Sequence, residues 1–254
     1  MKLVLSFLFV FGLSSLMIAQ EVNQVDSRGR KQGKWEKVYP GTKVYMYRGQ
    51  FKDDKPVGKF TYFYKSSKVK AVIKHNEIKA GRSVAYYYHE TGVLMSHGIY
   101  TNMKKDSVWL NFLPSGRISN TETYKNDELN GLKVIYFVPE DPNDKSQIIS
   151  ATYNYKDGML HGEFKEFFMN GVVKKKGQYM DNKPSGAWED FHPNGKRSLL
   201  MRYKYGVKHG WAIVYDTNMK RLAETYYYKG RVLTGDELKT KLKHMEEQGI
   251  DPNG

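Results

Sequence analysis

The sequence predicts an all-β protein: an open antiparallel meander of about eight β-hairpin repeats, ended by a short C-terminal capping helix. Three observations predict this fold. Glycine recurs at intervals such as 162, 186 and 210, and aromatic residues stand at fixed distances from it. Turn signals separate runs of roughly five to nine residues, the usual length of strands. Tyrosine alone contributes 20 residues, which favours strands over helices.

Each repeat is defined by an anchor residue, which is glycine in every unit but one. Successive anchors lie between 23 (58 to 81) and 31 (131 to 162) residues apart. The anchors are Gly33, Gly58, Gly81, Ser107, Gly131, Gly162, Gly186 and Gly210. Seven positions before the next anchor stand Phe51, Tyr100, Tyr124, Tyr155, Tyr179, Tyr203 and, measured against Gly235, Tyr228. Constant spacing predicts a repeat array over residues 28–234, in which each unit packs on its neighbours.

The second strand of a unit carries a glycine two residues before its aromatic residue, as in Gly98 and Tyr100. The two residues share a face, so the glycine leaves room for a ring from a neighbouring strand. In the first strand, Trp188 and Phe191 are three residues apart, which places them on opposite faces of a straight strand. Either a bulge intervenes or both faces are apolar, and both alternatives stay open here.

Two kinds of turn punctuate each unit. Asn170-Gly171 and Pro193-Asn194-Gly195 are tight hairpin signals, because asparagine and glycine tolerate positive φ. Polar loops such as residues 53–58 precede the anchors. The insertion at residues 140–145 predicts one longer surface loop.

The pattern changes after the last repeat. Thr234 and Glu237 have the spacing of a capping box, and Leu238, Leu242 and Met245 follow at helical spacing. We therefore expect a helix over residues 235–248 that covers the exposed edge of the last hairpin, because repeat arrays need caps. A helix that binds a partner is the alternative.

The N-terminus has the pattern of a secretory signal peptide over residues 1–19. Lys2 precedes an apolar run, and the small residue Ala19 suits cleavage after position 19 or 20. Export to the periplasm or the cell exterior is the expectation. A retained membrane anchor is the alternative, since residues 3–19 reach the low end of the roughly 17–25 residues that span a bilayer.

The stretch from Tyr47 to Gly58, Tyr-Arg-Gly-Gln-Phe-Lys-Asp-Asp-Lys-Pro-Val-Gly, resembles a MORN repeat, whose core is Tyr-x-Gly-x-aromatic, a polar loop and glycine. The second glycine of that pattern is often replaced here by tryptophan or phenylalanine. With Asn-Gly turns, the chain resembles the bacterial MORN-variant branch of YwqK-type, antitoxin-like proteins over residues 28–234. The resemblance implies a hairpin array and an immunity-like protein partner.

Composition limits the chemistry. The chain has no cysteine, which excludes disulfides, thiolate metal sites and cysteine nucleophiles. His161 and His209 precede anchors two repeats apart, roughly 19 Å at ordinary strand spacing, too far to share a zinc ion. We expect both to be solvated loop residues, and His89 and His192 lie beside turns with no partner at motif spacing. No catalytic, metal or cofactor motif is present, so the sequence predicts a protein that is not an enzyme.

The formal charge of +14 favours anionic partners or surfaces. Residues 174–176 are three lysines near Tyr179, a mixture that nucleic-acid binders use. Basic residues are spread over all repeats, however, and export removes that substrate, so the sequence argues against nucleic acid. The sequence therefore predicts a non-enzymatic binding scaffold in the cell envelope that engages a protein partner. The alternative is a peripheral module on anionic membrane or envelope polymer.

Overall fold

The structure is a computed structural model that describes residues 21–79, 81–141, 144 and 146–253. The predicted signal segment, residues 1–19, lies outside the described residues. The strands are β1 Gln24–Val25, β2 Lys31–Val38, β3 Tyr45–Lys52, β4 Lys55–Phe63, β5 Val69–Lys79, β6 Arg82–Tyr88, β7 Leu94–Thr101, β8 Lys104–Phe112, β9 Ile118–Lys125, β10 Glu128–Tyr136, β11 Ile149–Lys156, β12 Met159–Phe167, β13 Val173–Met180, β14 Lys183–Phe191, β15 Arg197–Lys204, β16 Val207–Lys208, β17 Gly210–Tyr215, β18 Arg221–Tyr228 and β19 Arg231–Leu233. The helix α1 is Gly235–Glu247.

The predicted fold class is confirmed. Every strand pairs antiparallel with its neighbours in sequence, and β16 and β17 both pair with β15. Eight two-strand units, from β2–β3 to β16/β17–β18, form one open meander, with β1 before them and β19 after them. Between the end of β10 and the start of β11, the Phe137 amide donates to the Ile148 carbonyl at 2.8 Å, and the loop predicted at residues 140–145 lies partly outside the described residues.

The two long edges of the sheet use different turns. Along one edge, two-residue turns place both residues at positive φ, as in type I′ hairpins, whose twist matches that of the strands. These turns are Asp53-Asp54, Asn102-Met103, Asn126-Asp127, Asp157-Gly158, Asp181-Asn182, Tyr205-Gly206 and Lys229-Gly230. At the opposite edge, longer turns end on a left-handed glycine, such as Gly171 and Gly195. Most connections are therefore encoded locally.

The anchor position makes a bulge. Lys176 pairs with Glu189 and Gln178 pairs with Ser185, so Gly177 alone opposes residues 186–188. Gly186 sits at φ +67, which glycine adopts without strain. Ser107 holds the same place at φ +62. The bulge explains why glycine is favoured there.

Strand pairing corrects the sequence alignment at two places. In most other units the anchor pairs with the aromatic residue of the next strand. In the third unit Ser83, not Gly81, pairs with Tyr100, so Ser83 is the anchor of that unit and Gly81 lies just before β6. The spacing then becomes regular, 25 residues from 58 to 83 and 24 from 83 to 107. In the last unit, Gly210 pairs with Tyr227, so Tyr228 is one residue past the repeat position.

The two faces of the sheet are distinct. The ring of Trp188 lies over Gly177. The ring of Phe191 instead contacts Lys176, the residue before Gly177 in β13, and the Lys176 ammonium group lies 5.4 Å from the centre of that ring. Neighbouring residues of a strand point to opposite faces, so both faces carry rings. A register shift also occurs between Asp190 and Phe191. We call the face of Trp188 the ladder face and the opposite face the outer face.

The C-terminal helix packs on a face, which corrects the expectation that it covers an edge. The hydroxyl of Tyr226, on the outer face, contacts Met245 Sδ at 3.5 Å and donates to the Pro252 carbonyl at 3.0 Å. The predicted capping box does not form: Thr234 makes no side-chain cap, and Glu237 pairs with Arg231. Burial of apolar surface, rather than edge protection, therefore holds the helix in place.

Candidate functional site

Aromatic rings stack along the ladder face. Tyr179 lies 5.8 Å from Phe164 and 5.0 Å from Trp188, and Trp188 lies 5.8 Å from Tyr203. Similar runs join Trp35, Phe51 and Phe60, and Tyr100, Trp109 and Tyr124. Tyr153 rather than Tyr155 contacts Phe164. The central rings Phe60, Trp109 and Phe164 are buried, so they hold repeats together and are closed to a ligand.

The stack is interrupted by an ion pair between two of these runs. Lys133 occupies the ring position, and its ammonium group lies 2.8 Å from Glu122, which replaces the usual glycine. Glu122 also accepts hydrogen bonds from Tyr124 at 2.9 Å and Asn111 at 3.2 Å. Burial opposes ionisation of Glu122, but the bonds from Lys133 and Tyr124 outweigh it, and its pKa lies below its ordinary value of 4.5. Burial and the bond to Glu122 raise the pKa of Tyr124 to about 12.

Replacing Glu122 by glutamine should destabilise the protein at pH 7 by about 1–2 kcal/mol, because three hydrogen bonds to a charged group are weakened. The pKa of Glu122 is lowered by folding, so its stabilising effect is complete above pH 4.5 and is lost as the pH falls through the folded-state value. The difference between parent and variant should therefore shrink in acid. Urea unfolding at pH 7 and near pH 3.5 measures it, and a difference that stays constant would contradict the assignment.

The histidines lie in places that the sequence did not predict. His209 is buried, with 6% of its surface exposed, so the expectation of a solvated loop residue is wrong. His161 is partly exposed and pairs with Asp181 at 3.1 Å. His192 lies beside a turn, but its Nε2 contacts the Tyr215 carbonyl of the next unit at 3.0 Å. Within the described ranges, no group of three His, Asp or Glu residues could hold a metal ion.

The sequence alignment did not predict one buried side-chain pair, His75 and Ser83. His75 Nδ1 lies 3.1 Å from Ser83 Oγ, and only 6% and 5% of these residues are exposed. Burial lowers the pKa of His75. An alignment that used Ser83 instead of Gly81 as the anchor of the third unit would have placed Ser83 in β6 opposite β5, the strand of His75. Because both residues are buried, the pair serves packing between units.

The outer face provides a different surface. One cross-strand row runs through all eight units: Glu36, Arg48, Thr61, Val72, Tyr86, His97, Leu110, Thr121, Val134, Thr152, Lys165, Lys176, Glu189, Leu200, Ile213 and Glu224. From Thr61 to Thr152 the row contains no lysine, arginine or acidic residue. Eight strands with seven spacings of about 4.8 Å give this segment a width of roughly 34 Å.

A second row lies beside the first and contains the apolar residues Val84, Ile99, Val108 and Leu132, with Lys74 opposite Val84 and Thr123 opposite Val108. Together they form the central band, which we define as Val72, Val84, Tyr86, His97, Ile99, Val108, Leu110, Thr121, Val134 and Leu132. Tyr86 and His97 stack with ring centroids 4.6 Å apart and planes 4° from parallel. Val108 is 48% exposed and Leu132 is 45% exposed. The band is therefore an apolar surface in contact with solvent.

Charged residues frame the central band on both sides. Glu36 and Arg48 form an ion pair at 2.8 Å on the N-terminal side. On the C-terminal side, Lys176 lies 3.1 Å from Glu189, which also pairs with Arg197. An apolar centre with a charged rim is the usual composition of a protein–protein interface.

The last units show how the same face is used inside the chain. Leu200, Ile213 and Tyr226 on the outer face are buried, and α1 with the segment after it contacts Tyr226. Over the described part of the chain, no element covers the central band in the same way. The central band is the candidate site, and the sequence could reveal it only after the strands were put in register.

The comparisons with known proteins add little. No protein family matches the chain, and no curated protein matches it. A mutant of S. aureus TarM in complex with Fondaparinux, alpha-GlcNAc-glycerol and UDP is 11% identical, with a TM-score of 0.30 over 41% of this chain and 19% of that chain. Another structure of TarM is 12% identical, with a TM-score of 0.28 over 42% and 20%. This chain thus spans about a fifth of those chains, and a likeness this weak carries no argument.

The fold and its two faces define the class of this protein: a single-sheet array of β-hairpin repeats with an aromatic ladder on one face and an apolar band on the other. Among the residues whose structure is described, no helix is long and apolar enough to span a membrane.

Proposed function

We propose that this chain is a non-enzymatic repeat scaffold that binds a protein partner through the central band. The observation that carries the proposal is the central band on the outer face, whose first row crosses eight strands without lysine, arginine or acidic residues and is framed by ion pairs. An exposed apolar surface of this extent usually marks an interaction site. The packing of α1 on the outer face of the last units supports a partner that presents an apolar helix or similar apolar surface.

The biological setting of the proposal comes from the sequence. The resemblance to MORN-variant, antitoxin-like proteins supports an immunity-like role, in which the scaffold neutralises or holds its partner. The N-terminal pattern of residues 1–19 supports export to the cell envelope. We propose both as parts of the same function.

Placing a charge in the central band should weaken partner binding about 30-fold or more. Leu110→Asp would bury an unpaired carboxylate in the interface, which costs about 2 kcal/mol or more, roughly a 30-fold loss of affinity. The matched control is Met103→Asp, at a hairpin tip that is 62% exposed and lies outside the band. The measurement is affinity capture from an envelope extract, followed by titration of the captured protein.

Both variants must melt like the parent for this comparison to be valid. Capture that is lost only in Leu110→Asp supports the proposal. A partner that still binds Leu110→Asp with the affinity of the parent would show that another surface is used.

The second candidate function is a peripheral module on an anionic membrane or envelope polymer. Lysines flank the type I′ turns along one edge, such as Lys104 and Lys105 beside residues 102–103 and Lys204 and Lys208 beside residues 205–206. Residues 101–105 and 204–208 include no acidic residue, so the chain is locally positive at these two turns. Because salt screens such attraction, binding that disappears at high salt and survives Leu110→Asp would favour this candidate.

A further inference from the structure

A cavity lies where the last two units meet α1, away from the central band. Its volume is about 550 Å³, within the range of small-molecule sites. Apolar side chains form much of its lining. Val207 is 45% exposed and Ile250 is 46% exposed there, and Met245 is buried behind them. The cavity therefore offers apolar surface to a ligand of modest size.

The polar part of the lining is cationic. Lys241 and Lys229 place their ammonium groups 4.1 and 5.5 Å from the ring centre of Tyr228. Lys204 and the buried His209 also line the cavity. None of the described lining residues is acidic. The ammonium groups of Lys229 and Lys241 thus lie close together at the ring of Tyr228, in a lining whose described residues include no carboxylate.

Two titratable groups respond to this positive charge. The hydrogen bond from Lys241, with the fields of Lys229 and Lys204, lowers the pKa of Tyr228 because the phenolate is favoured. Burial, together with the same three lysines, lowers the pKa of His209 because an additional positive charge is disfavoured. Burial is the larger cause for His209 and the Lys241 hydrogen bond is the larger cause for Tyr228, and the positive charge of the lysines adds to both shifts.

The type I′ turns that border the cavity differ from those of the other units in their first residue. The first residue of the type I′ turn is Asp or Asn in the five turns at positions 53, 102, 126, 157 and 181, which suits positive φ. The two turns that border the cavity carry Tyr205 at φ +52 and Lys229 at φ +50. Tyr205 is 83% exposed, and a bulky residue at positive φ is strained. Both departures add an aromatic or cationic group to the rim.

We propose that this cavity binds a small amphiphilic anion, with a carboxylate or phosphate monoester head held by Lys229 and Lys241. The aliphatic or aromatic body of the ligand lies against Val207, Ile250 and the ring of Tyr205. The proposal is independent of the protein-binding function, because the cavity shares no residue with the central band.

The test uses dodecyl phosphate below its micelle concentration, titrated by calorimetry against the full chain. We expect saturable binding of one molecule per chain. Lys229→Gln and Lys241→Gln should each weaken it about tenfold, because each removes one charge-assisted contact. Lys239→Gln is the matched control: it lies on the same helix, with its side chain 80% exposed and paired with Asp236, and should bind like the parent.

Two probes separate the parts of the ligand. Dodecyl maltoside, with the same tail and no charge, and inorganic phosphate, with no tail, should both bind much more weakly than dodecyl phosphate. Equal binding of the maltoside would overturn the anionic head, and equal binding of inorganic phosphate would overturn the apolar body. Vesicles that compete only through their surface charge, with no effect of Lys241→Gln, would overturn the cavity as the site.

A second variant keeps the proposal testable if the lysine variants are unstable. Tyr205→Asp restores the turn residue of the other units, so its melting temperature should equal or exceed that of the parent. The new carboxylate should nevertheless repel the ligand and weaken binding about tenfold or more. In the parent, ligand binding should raise the pKa of His209, measured by NMR of the imidazole ring, because the anion offsets the lysines. Unchanged binding in Tyr205→Asp, or a constant His209 titration, would overturn the assignment.

Discussion

Replacing Gly98 by alanine should lower the free energy of unfolding by about 3 kcal/mol, the upper range for overpacking a core. A Cβ at this position would overlap the indole of Trp109, which lies directly over the glycine. The ring has no room to move: Trp109 is 1% exposed, and its Nε1 donates to the Ile99 carbonyl at 3.1 Å. Urea unfolding followed by circular dichroism measures the loss.

A double-mutant cycle provides the control for this prediction. Trp109→Ala alone should cost about 3–5 kcal/mol, as for other buried rings. In that background the added methyl group at residue 98 meets no ring, so Gly98→Ala should cost much less than in the parent. Additive effects of the two changes would show that the glycine serves backbone flexibility rather than close packing.

Replacing Tyr179 by alanine should cost on the order of 3 kcal/mol, the lower end of the range for large aromatic residues, because Tyr179 is only half buried. Its ring joins Phe164 and Trp188, which belong to successive units. Losing it removes two of the ring contacts between those units as well as its own buried area, whereas the direct contact of Phe164 with Trp188 remains. Thermal and urea unfolding should both report the change, and partner capture by the remaining folded protein should persist.

Tyr155→Ala is the matched control for Tyr179. Both tyrosines oppose an anchor glycine, but Tyr155 meets no other ring in the part of the chain that is described. Its loss should therefore be clearly smaller. If Tyr179→Ala melts like the parent and no longer captures a partner, the ladder is a binding surface and the structural assignment is wrong.

The sequence predicted the ladder better than the outer face. Gly98 two residues before Tyr100 indicates a ring lying over the backbone, because both residues belong to one strand and need no long-range information. The central band depends instead on residues such as Leu110 and Thr121 meeting across strands. The bulge at each anchor shifts this register, so counting along the chain does not show which outer residues become neighbours.

The cavity near α1 was beyond sequence reasoning for a similar reason. His209 precedes an anchor in the same way as His161, yet it is buried while His161 is partly exposed and paired with Asp181. What distinguishes them is that the last unit is covered by α1 and the segment after it. The one visible signal was the change from Asp or Asn to Tyr205 and Lys229 at the turns.

The sequence by itself determined the all-β class, the hairpin repeat and the closing helix, because period, turn residues and glycine–aromatic spacing act within one or two strands. The tertiary structure decided which residue anchors the third unit, where Ser83 replaces Gly81, and that α1 packs on the outer face. It also decided which side chains form the central band and which are buried. These outcomes depend on strand register and on contacts between distant segments, where the burial of apolar surface outweighs local preference.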